Sequence, residues 1–189
     1  MSILFLFFTV GFAARSLLAE RRDGTLARIL ATPTRPGSVV AGKTLAVSLL
    51  GLAGFVTVWL VTSLGFDADW GNPLGVILVM LATVFAIAGV ATFVASLAKT
   101  EQQADAYTSV VTFALALLGG NFVGPGQGPS LLQTLSLLTP NGWSLRAFTE
   151  LSADAATLGS VLGGIGILLA FGALFGIVGL VRVQRIVSV

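Results

Sequence analysis

The chain has 189 residues, of which 56% are hydrophobic and only 10% charged, with a net charge of +2; soluble domains carry roughly 45–50% apolar and about 25% charged residues. It contains no Cys and no His, which excludes disulfides, thiol nucleophiles, Cys- or His-ligated metals and a histidine general base. Its basic residues alternate with apolar runs, a pattern that points to membrane orientation and away from nucleic acid.

Residues 44–66, 73–98, 106–145 and 155–181 contain no Asp, Glu, Lys or Arg, and a fifth apolar stretch runs from Met1 to Ala14. A helix needs about 20 apolar residues to cross a bilayer. The expectation is an all-α, polytopic membrane protein forming one transmembrane domain over residues 1–189, with five spans at about 2–19, 42–65, 73–97, 104–122 and 157–181. The first segment has its positive charge after the apolar core, at Arg15, Arg21 and Arg22, whereas a signal peptide carries it before. It therefore reads as a span that ends in the cytoplasm. Alternating the spans puts 20–41, 98–103 and the tail 182–189 inside, and 66–72 and 123–156 outside. Arg15, Arg21, Arg22, Arg28, Arg35, Lys43, Lys99, Arg182 and Arg185 then lie inside and only Arg146 outside, as the positive-inside rule requires. Arg15 and Lys43 are close enough to helix ends to snorkel. Trp70 and Trp143 fall at the outer interface and Tyr107 near the inner one, the positions of an aromatic belt. An N-terminus outside and a short first span lead to the expectation that an upstream helix is missing.

Between the first two spans the chain reads Glu20-Arg21-Arg22-Asp23-Gly24-Thr25-Leu26-Ala27-Arg28-Ile29-Leu30-Ala31-Thr32-Pro33. Leu26, Ile29 and Leu30 share one helical face, with Arg22 and Arg28 away from it. Pro33 and Pro36 are expected to stop that helix. A short amphipathic helix on the cytoplasmic surface can receive a soluble partner; a charged turn with interfacial leucines fits the same residues. Gly37 through Gly42-Lys43-Thr44 matches the spacing of a phosphate-binding loop. Such a loop follows a buried strand and opens a soluble helix, whereas this run follows two prolines and opens a span. No nucleotide site is therefore expected in this chain.

Asn121-Phe122-Val123-Gly124-Pro125-Gly126-Gln127-Gly128-Pro129 is a breaker cluster. Ser130–Leu138 is apolar enough for a short helix, closed by Thr139-Pro140-Asn141-Gly142. Residues 123–142 are expected to form a re-entrant segment of one or two short helices in the outer leaflet, shielded by protein because backbone at that depth must be satisfied. The carboxylates Glu20, Asp23, Asp67, Asp69, Glu101, Asp105, Glu150 and Asp154 all lie outside the spans or at their ends. Asp105 is expected to cap the start of the fourth span, and Asp67 and Asp69 to be solvated. An ion-coupled carrier usually keeps an ionisable group within the membrane, so this distribution favours an externally powered pump. No catalytic residue and no metal site is expected.

The loop pattern Glu-Arg-x-x-Gly-Thr-Leu-x-Arg-x-Leu-x-Thr-Pro, followed by Gly42-Lys43 at the start of a span, resembles the cytoplasmic loop of ABC type-2 exporter permeases. Leu115-Ala116-Leu117-Leu118-Gly119-Gly120-Asn121-Phe122 resembles that family's penultimate helix entering the outer re-entrant region. Leu138-Thr139-Pro140-Asn141-Gly142-Trp143 through Phe148-Thr149-Glu150-Leu151 resembles the stretch before its last helix. The ordered set covers nearly the whole chain, which departs from the family's six spans by lacking the first.

The resemblance implies the membrane subunit of an ATP-driven exporter in the cytoplasmic membrane of a prokaryote, with its C-terminus inside. The loop helix, about 23–31, would be the coupling helix that docks on a separate ATPase subunit. Its contact set would be Glu20, Arg21, Gly24, Thr25, Leu26, Arg28, Ile29 and Leu30, with Glu20 and Arg21 at the hinge. ATP and Mg would bind the partner, leaving this chain without a cofactor. A second permease copy, identical or not, would complete a path lined by Phe5, Phe8 and Phe12 and by Thr112, Phe113, Leu117 and Asn121. Such a path suits a hydrophobic or amphipathic substrate such as a drug or lipid. Lipid contact or helix packing explains the same phenylalanines equally well. A non-transporting membrane anchor, an inactive truncated permease and a secondary carrier are the competing readings.

Overall fold

The computed structural model describes residues 3, 5, 6, 8, 9, 16, 19, 20, 22–25, 28, 36–123, 129–153 and 157–187, with backbone only for 36 and 183–187. Among them six continuous helices follow in chain order: α1 Pro36–Gly65, α2 Pro73–Ala95, α3 Glu101–Leu118, α4 Ser130–Ser136, α5 Pro140–Leu151 and α6 Leu158–Val187. No strand occurs among the described residues. Ahead of α1 the backbone is helical at Ile3, Phe5, Leu6, Phe8, Thr9, Ser16, Ala19, Glu20 and Arg22.

Helix α1 starts about one and a half turns before the expected 42. Proline is preorganised for the first turn of a helix and has no N–H to lose there, which suits Pro36 at the head of α1. Asn72 caps α2, its Oδ1 accepting from Leu74 N (2.9 Å) and Gly75 N (3.3 Å), with Pro73 in the first turn. Thr100 caps α3 through Gln103 N (3.2 Å). The expectation for Asp105 is thus corrected: a threonine five residues earlier caps the helix through one of its free N–H groups, and Asp105 lies in the second turn. Helix α3 stops at Leu118, short of 122, and Gly120 turns the chain at φ 81°. Helix α6 continues through Arg182 to Val187, so the expected tail is mostly helix.

The segment after α3 holds two short helices. Thr139-Pro140-Asn141-Gly142 does not only close the first of them. Thr139 Oγ1 accepts from Gly142 N (3.1 Å), and Pro140 opens α5, which reaches Leu151.

Helix α2 is the centre of the bundle. In its most apolar stretch 67% of residues are buried, against 17% in α1 and 22% in α6, and it contacts α1, α3, α5 and α6. Its most extensive partner is α6. Between two helices in lipid there is no water to expel, so close van der Waals packing must hold them, and small residues permit it. A Cβ on Gly89 would stand 2.8 Å from Gly172 Cα, one on Gly172 2.8 Å from Phe85 O, and one on Gly179 2.7 Å from Phe93 N. The two backbones touch along three turns of helix. On the other side of α2, Thr83 Oγ1 donates to Ser144 Oγ (2.9 Å), which donates to Pro140 O (2.8 Å). Both side chains are fully buried, and the pair fixes α5 against α2. Gly71, at φ 79°, lies so close to Leu151 O that no side chain fits.

Among the described residues, three helical stretches are long and apolar enough to cross a membrane: Gly37–Gly65, Pro73–Ala95 and Leu158–Arg182. Helix α3 has 18 residues with Glu101 and Asp105 near its start, which makes it a little shorter than a bilayer core of about 30 Å. Leu6 packs on Gly51 of α1, where a Cβ would collide with it, and Ile3 and Leu6 join the buried cluster around Phe55, Val76 and Met80. Trp70 and Trp143 turn their indole N–H groups inward, to Thr62 Oγ1 (3.0 Å) and Leu137 O (2.8 Å).

Candidate functional site

Two groups of predicted residues have defined geometry: the loop ahead of α1, and the contact between the first apolar segment and α3. In the loop, Asp23 and Gly24 form a turn, with Gly24 at φ 72°. A left-handed residue ends a helix cheaply only when it is glycine. Asp23 N still bonds Ala19 O (2.9 Å), and helical backbone resumes at Thr25 and Arg28. Asp23 therefore belongs to the turn and not to the expected helix at 23–31. Thr25 Oγ1 donates to Glu20 O (3.1 Å), tying the two sides of the turn together.

Two ion pairs hold this turn to the bundle. Lys43 Nζ in the second turn of α1 lies 2.6 Å from Glu20 Oε1 and donates to Ser16 Oγ (2.7 Å). Arg22 Nη1 lies 2.8 Å from Glu101 Oε1 at the first turn of α3, and its Nε donates to Asp23 Oδ1 (2.9 Å). The Asp23 hydrogen bond and charge, with Glu101 behind them, push the Arg22 guanidinium above its ordinary range, so it stays charged at any physiological pH. The Glu20–Lys43 pair is the more protected, with side chains 30% and 22% exposed; Arg22 is 68% exposed. Glu20 Oε2 is buried with no hydrogen-bond partner among the described residues, which makes Glu20 depend on Lys43.

The phosphate-loop spacing at Gly37–Thr44 falls on helix. Those residues are the first turns of α1. Their N–H groups beyond the first turn serve the helix, and Lys43 is already paired. No group of three or more acidic residues that could hold a metal occurs among the described residues.

Of the predicted path residues, Phe8 and Phe113 meet edge to face with ring centroids 5.7 Å apart. Phe5 of the first segment is more than half exposed, as are Phe113 and Leu117, which with Val110 give α3 an apolar face. Thr112 points elsewhere: it is buried beside Val90, Ala91 and Val94 of α2. Asn121 follows α3, its side-chain amide buried without a hydrogen-bond partner among the described residues. Arg21, Leu26, Ile29, Leu30 and Phe12 lie outside the described residues. Gly24, Thr25 and Glu20 are joined at the turn, while Arg28 is exposed.

Sequence reading placed Glu20 and Arg22 in the loop but missed their partners. Lys43 was assigned to lipid headgroups and Glu101 to no role. The signal was available as charge complementarity, because Glu20, Lys43, Arg22 and Glu101 all fall on the same, inner face in the expected topology. The pairing itself needs the packing of three elements distant in sequence.

Comparison with known proteins places the chain in a family. A family model described as ABC-2 family transporter protein matches residues 1–181. The linearmycin resistance permease protein LnrN of Bacillus subtilis (strain 168) is 29% identical over 173 residues, which is 92% of this chain and 45% of that protein. The chain thus spans less than half the length of this curated relative. No solved structure matches. With apolar helices able to cross a bilayer, and a family match that runs almost from end to end, this chain belongs to the ABC-2 family of transporter proteins.

Proposed function

We propose that the chain is the permease subunit of an ATP-driven exporter, spanning the membrane five times through its first apolar segment, α1, α2, α3 and α6. The charged turn and the helical residues after it, about 23–31, dock on a separate ATPase subunit that binds ATP and Mg, and this chain carries no catalytic group or cofactor of its own. A second permease copy, identical or related, completes the pathway. The protein sits in the cytoplasmic membrane with the loop and the C-terminus inside, and it binds no nucleic acid. The relative's name ties that protein to resistance against linearmycin, which supports an export role.

One observation carries the reading. The loop is joined by Glu20–Lys43 to α1 and by Arg22–Glu101 to α3. A push on the loop therefore reaches α3, whose Phe113 meets Phe8. ATP acts through the difference in its affinity for the closed and open pump, and a loop tied to two helices converts that difference into helix movement. Phe5, Phe8, Phe12, Thr112, Phe113, Leu117 and Asn121 are assigned to the path of a hydrophobic or amphipathic compound, with Phe8, Phe113 and Leu117 at its centre.

The test is uptake of a fluorescent amphipathic dye into inverted vesicles from cells expressing the chain and its ATPase. Uptake should require ATP and survive a protonophore, and the Phe8→Ala, Phe113→Ala double variant should lower it at least about five-fold, as expected when roughly 1 kcal/mol of aromatic contact at the path is removed. Uptake abolished by the protonophore while ATP persists points to a secondary carrier, and unchanged uptake in the double variant removes these residues from the path.

A further inference from the structure

Between the end of α3 and the short helices α4 and α5 lies a cavity of about 530 Å³. Sites for drug-sized ligands occupy roughly 300–1,000 Å³. Its lining mixes apolar side chains, Leu117, Leu132 and Leu145 among them, with Ser136, Thr134 and Arg146. The site is built. Gly142 approaches the backbone of Ser136 so closely that a Cβ would stand 2.6 Å from its carbonyl carbon, and a Cβ on Gly119 would stand 3.1 Å from Gly142 N. The ends of α3, α4 and α5 are thus fixed at backbone contact around the space.

Arg146 is the only basic residue between Lys99 and Arg182, and it is held in position. Its Nε donates to Glu150 Oε1 (2.9 Å), and its guanidinium lies 5.8 Å from the ring centre of Trp143, whose own N–H is fixed on Leu137 O (2.8 Å). A guanidinium has five N–H donors, so one bond to Glu150 leaves capacity for a bidentate anion. Ser136 Oγ donates to Gln133 O (2.7 Å) and Thr134 Oγ1 to Ser130 O (3.1 Å), so each hydroxyl keeps lone pairs for a donor on a ligand. Asn141, whose Cβ lies against the lining residue Gly119, is fully buried, and its amide has no hydrogen-bond partner among the described residues. Asn141 does not itself line the cavity.

We propose that this cavity binds an amphipathic anion, its head group on Arg146 and its apolar chain along Leu117, Leu132 and Leu145. Membrane lipids and exported compounds both supply that chemistry. The inference rests on the export reading only for the idea that the ligand is cargo, since Leu117 belongs to both the cavity and the path. Binding itself requires neither ATP nor a partner chain.

Native mass spectrometry of the detergent-purified chain tests it with three sixteen-carbon probes: lysophosphatidylglycerol, lysophosphatidylcholine and palmitate. The expected result is one tight adduct of an anionic probe, on the order of ten-fold tighter than the zwitterion, as a charge-assisted hydrogen bond supplies. Arg146→Gln should erase the preference. Leu132→Trp should fill the cavity and remove the adduct while Arg146 remains. Circular dichroism and a single size-exclusion peak establish that each variant is folded; Gln133→Trp serves in place of Leu132→Trp if the latter fails this check. Palmitate binding as well as the lysolipid identifies a site that reads charge and chain alone, as for a cargo compound; lysophosphatidylglycerol alone identifies a lipid site. Equal adducts of all three probes, or a preference unchanged by Arg146→Gln, overturns the proposal. Anion binding without any ATP-dependent uptake leaves this site standing and removes the export reading; uptake without anion binding does the reverse.

Discussion

Replacing Gly172 by Leu is expected to remove nearly all folded protein from a detergent extract. At this position a Cβ would lie 2.6 Å from Phe85 Cε1 and 2.8 Å from Phe85 O. The ring can rotate away, but the carbonyl belongs to the central helix and cannot. Accommodating a leucine means parting α2 from α6, the largest interface of the fold. Overpacking costs roughly 1–3 kcal/mol, and more where backbone must shift. In lipid the lost contacts are the main source of helix association, so the change falls at or beyond the upper end of that range. Gly166 and Gly54 have open space where a Cβ would go; Gly166→Ala and Gly54→Ala should give wild-type yield and elution. Size-exclusion chromatography of fluorescent fusions reads all three. A normal peak from Gly172→Leu contradicts the α2–α6 packing described above.

Lys43→Met should damage the protein more than Lys43→Met combined with Glu20→Gln. The single change leaves the Glu20 carboxylate beside the bundle with one oxygen already buried and unpartnered. Breaking one side of a buried or half-buried pair strands the other charge, whereas neutralising both does not. A lost hydrogen bond to a charged group is worth about 1.5–3 kcal/mol, and the partial exposure of both side chains brings the expectation to the lower end. Heating followed by size exclusion should place the single variant about 3 °C or more below wild type, with the double variant between them. Equal midpoints for the single and double variants show that Lys43 does not hold Glu20. An Arg22 variant should scarcely move the midpoint, because exposed pairs contribute little; its effect is expected in coupling.

The apolar helices were legible because charge is excluded from them and a bilayer fixes their length. The start of α2 was legible too: the expected span begins at 73, where the helix does. Other boundaries turned on local competition. Pro36 can stop one helix or open the next, and only the packing of α1 decides. Thr100 and Asp105 are both acceptable caps, and α3 takes the earlier one. Thr139-Pro140 reads as a stop after an apolar run, yet the same pair caps and opens α5. The Thr83–Ser144 bond, which secures α5, joins residues 61 positions apart and leaves no periodic trace. At the candidate site the chain displayed the loop, Phe8 and Phe113, but not which charges would pair. Thr112 and Phe113 are adjacent in sequence and about 100° apart around the helix, and the structure buries one and exposes the other.

We propose above that the loop after the first apolar segment couples this chain to a separate ATPase. The most direct test is ATP hydrolysis in the eluate when the tagged chain is purified from detergent-solubilised native membranes. An ATPase should co-purify and be lost when Leu26 and Ile29 are both changed to Asp, while the variant remains inserted at wild-type level. A stably inserted wild-type chain that brings down no ATPase, or an ATPase retained by the double-aspartate variant, contradicts it.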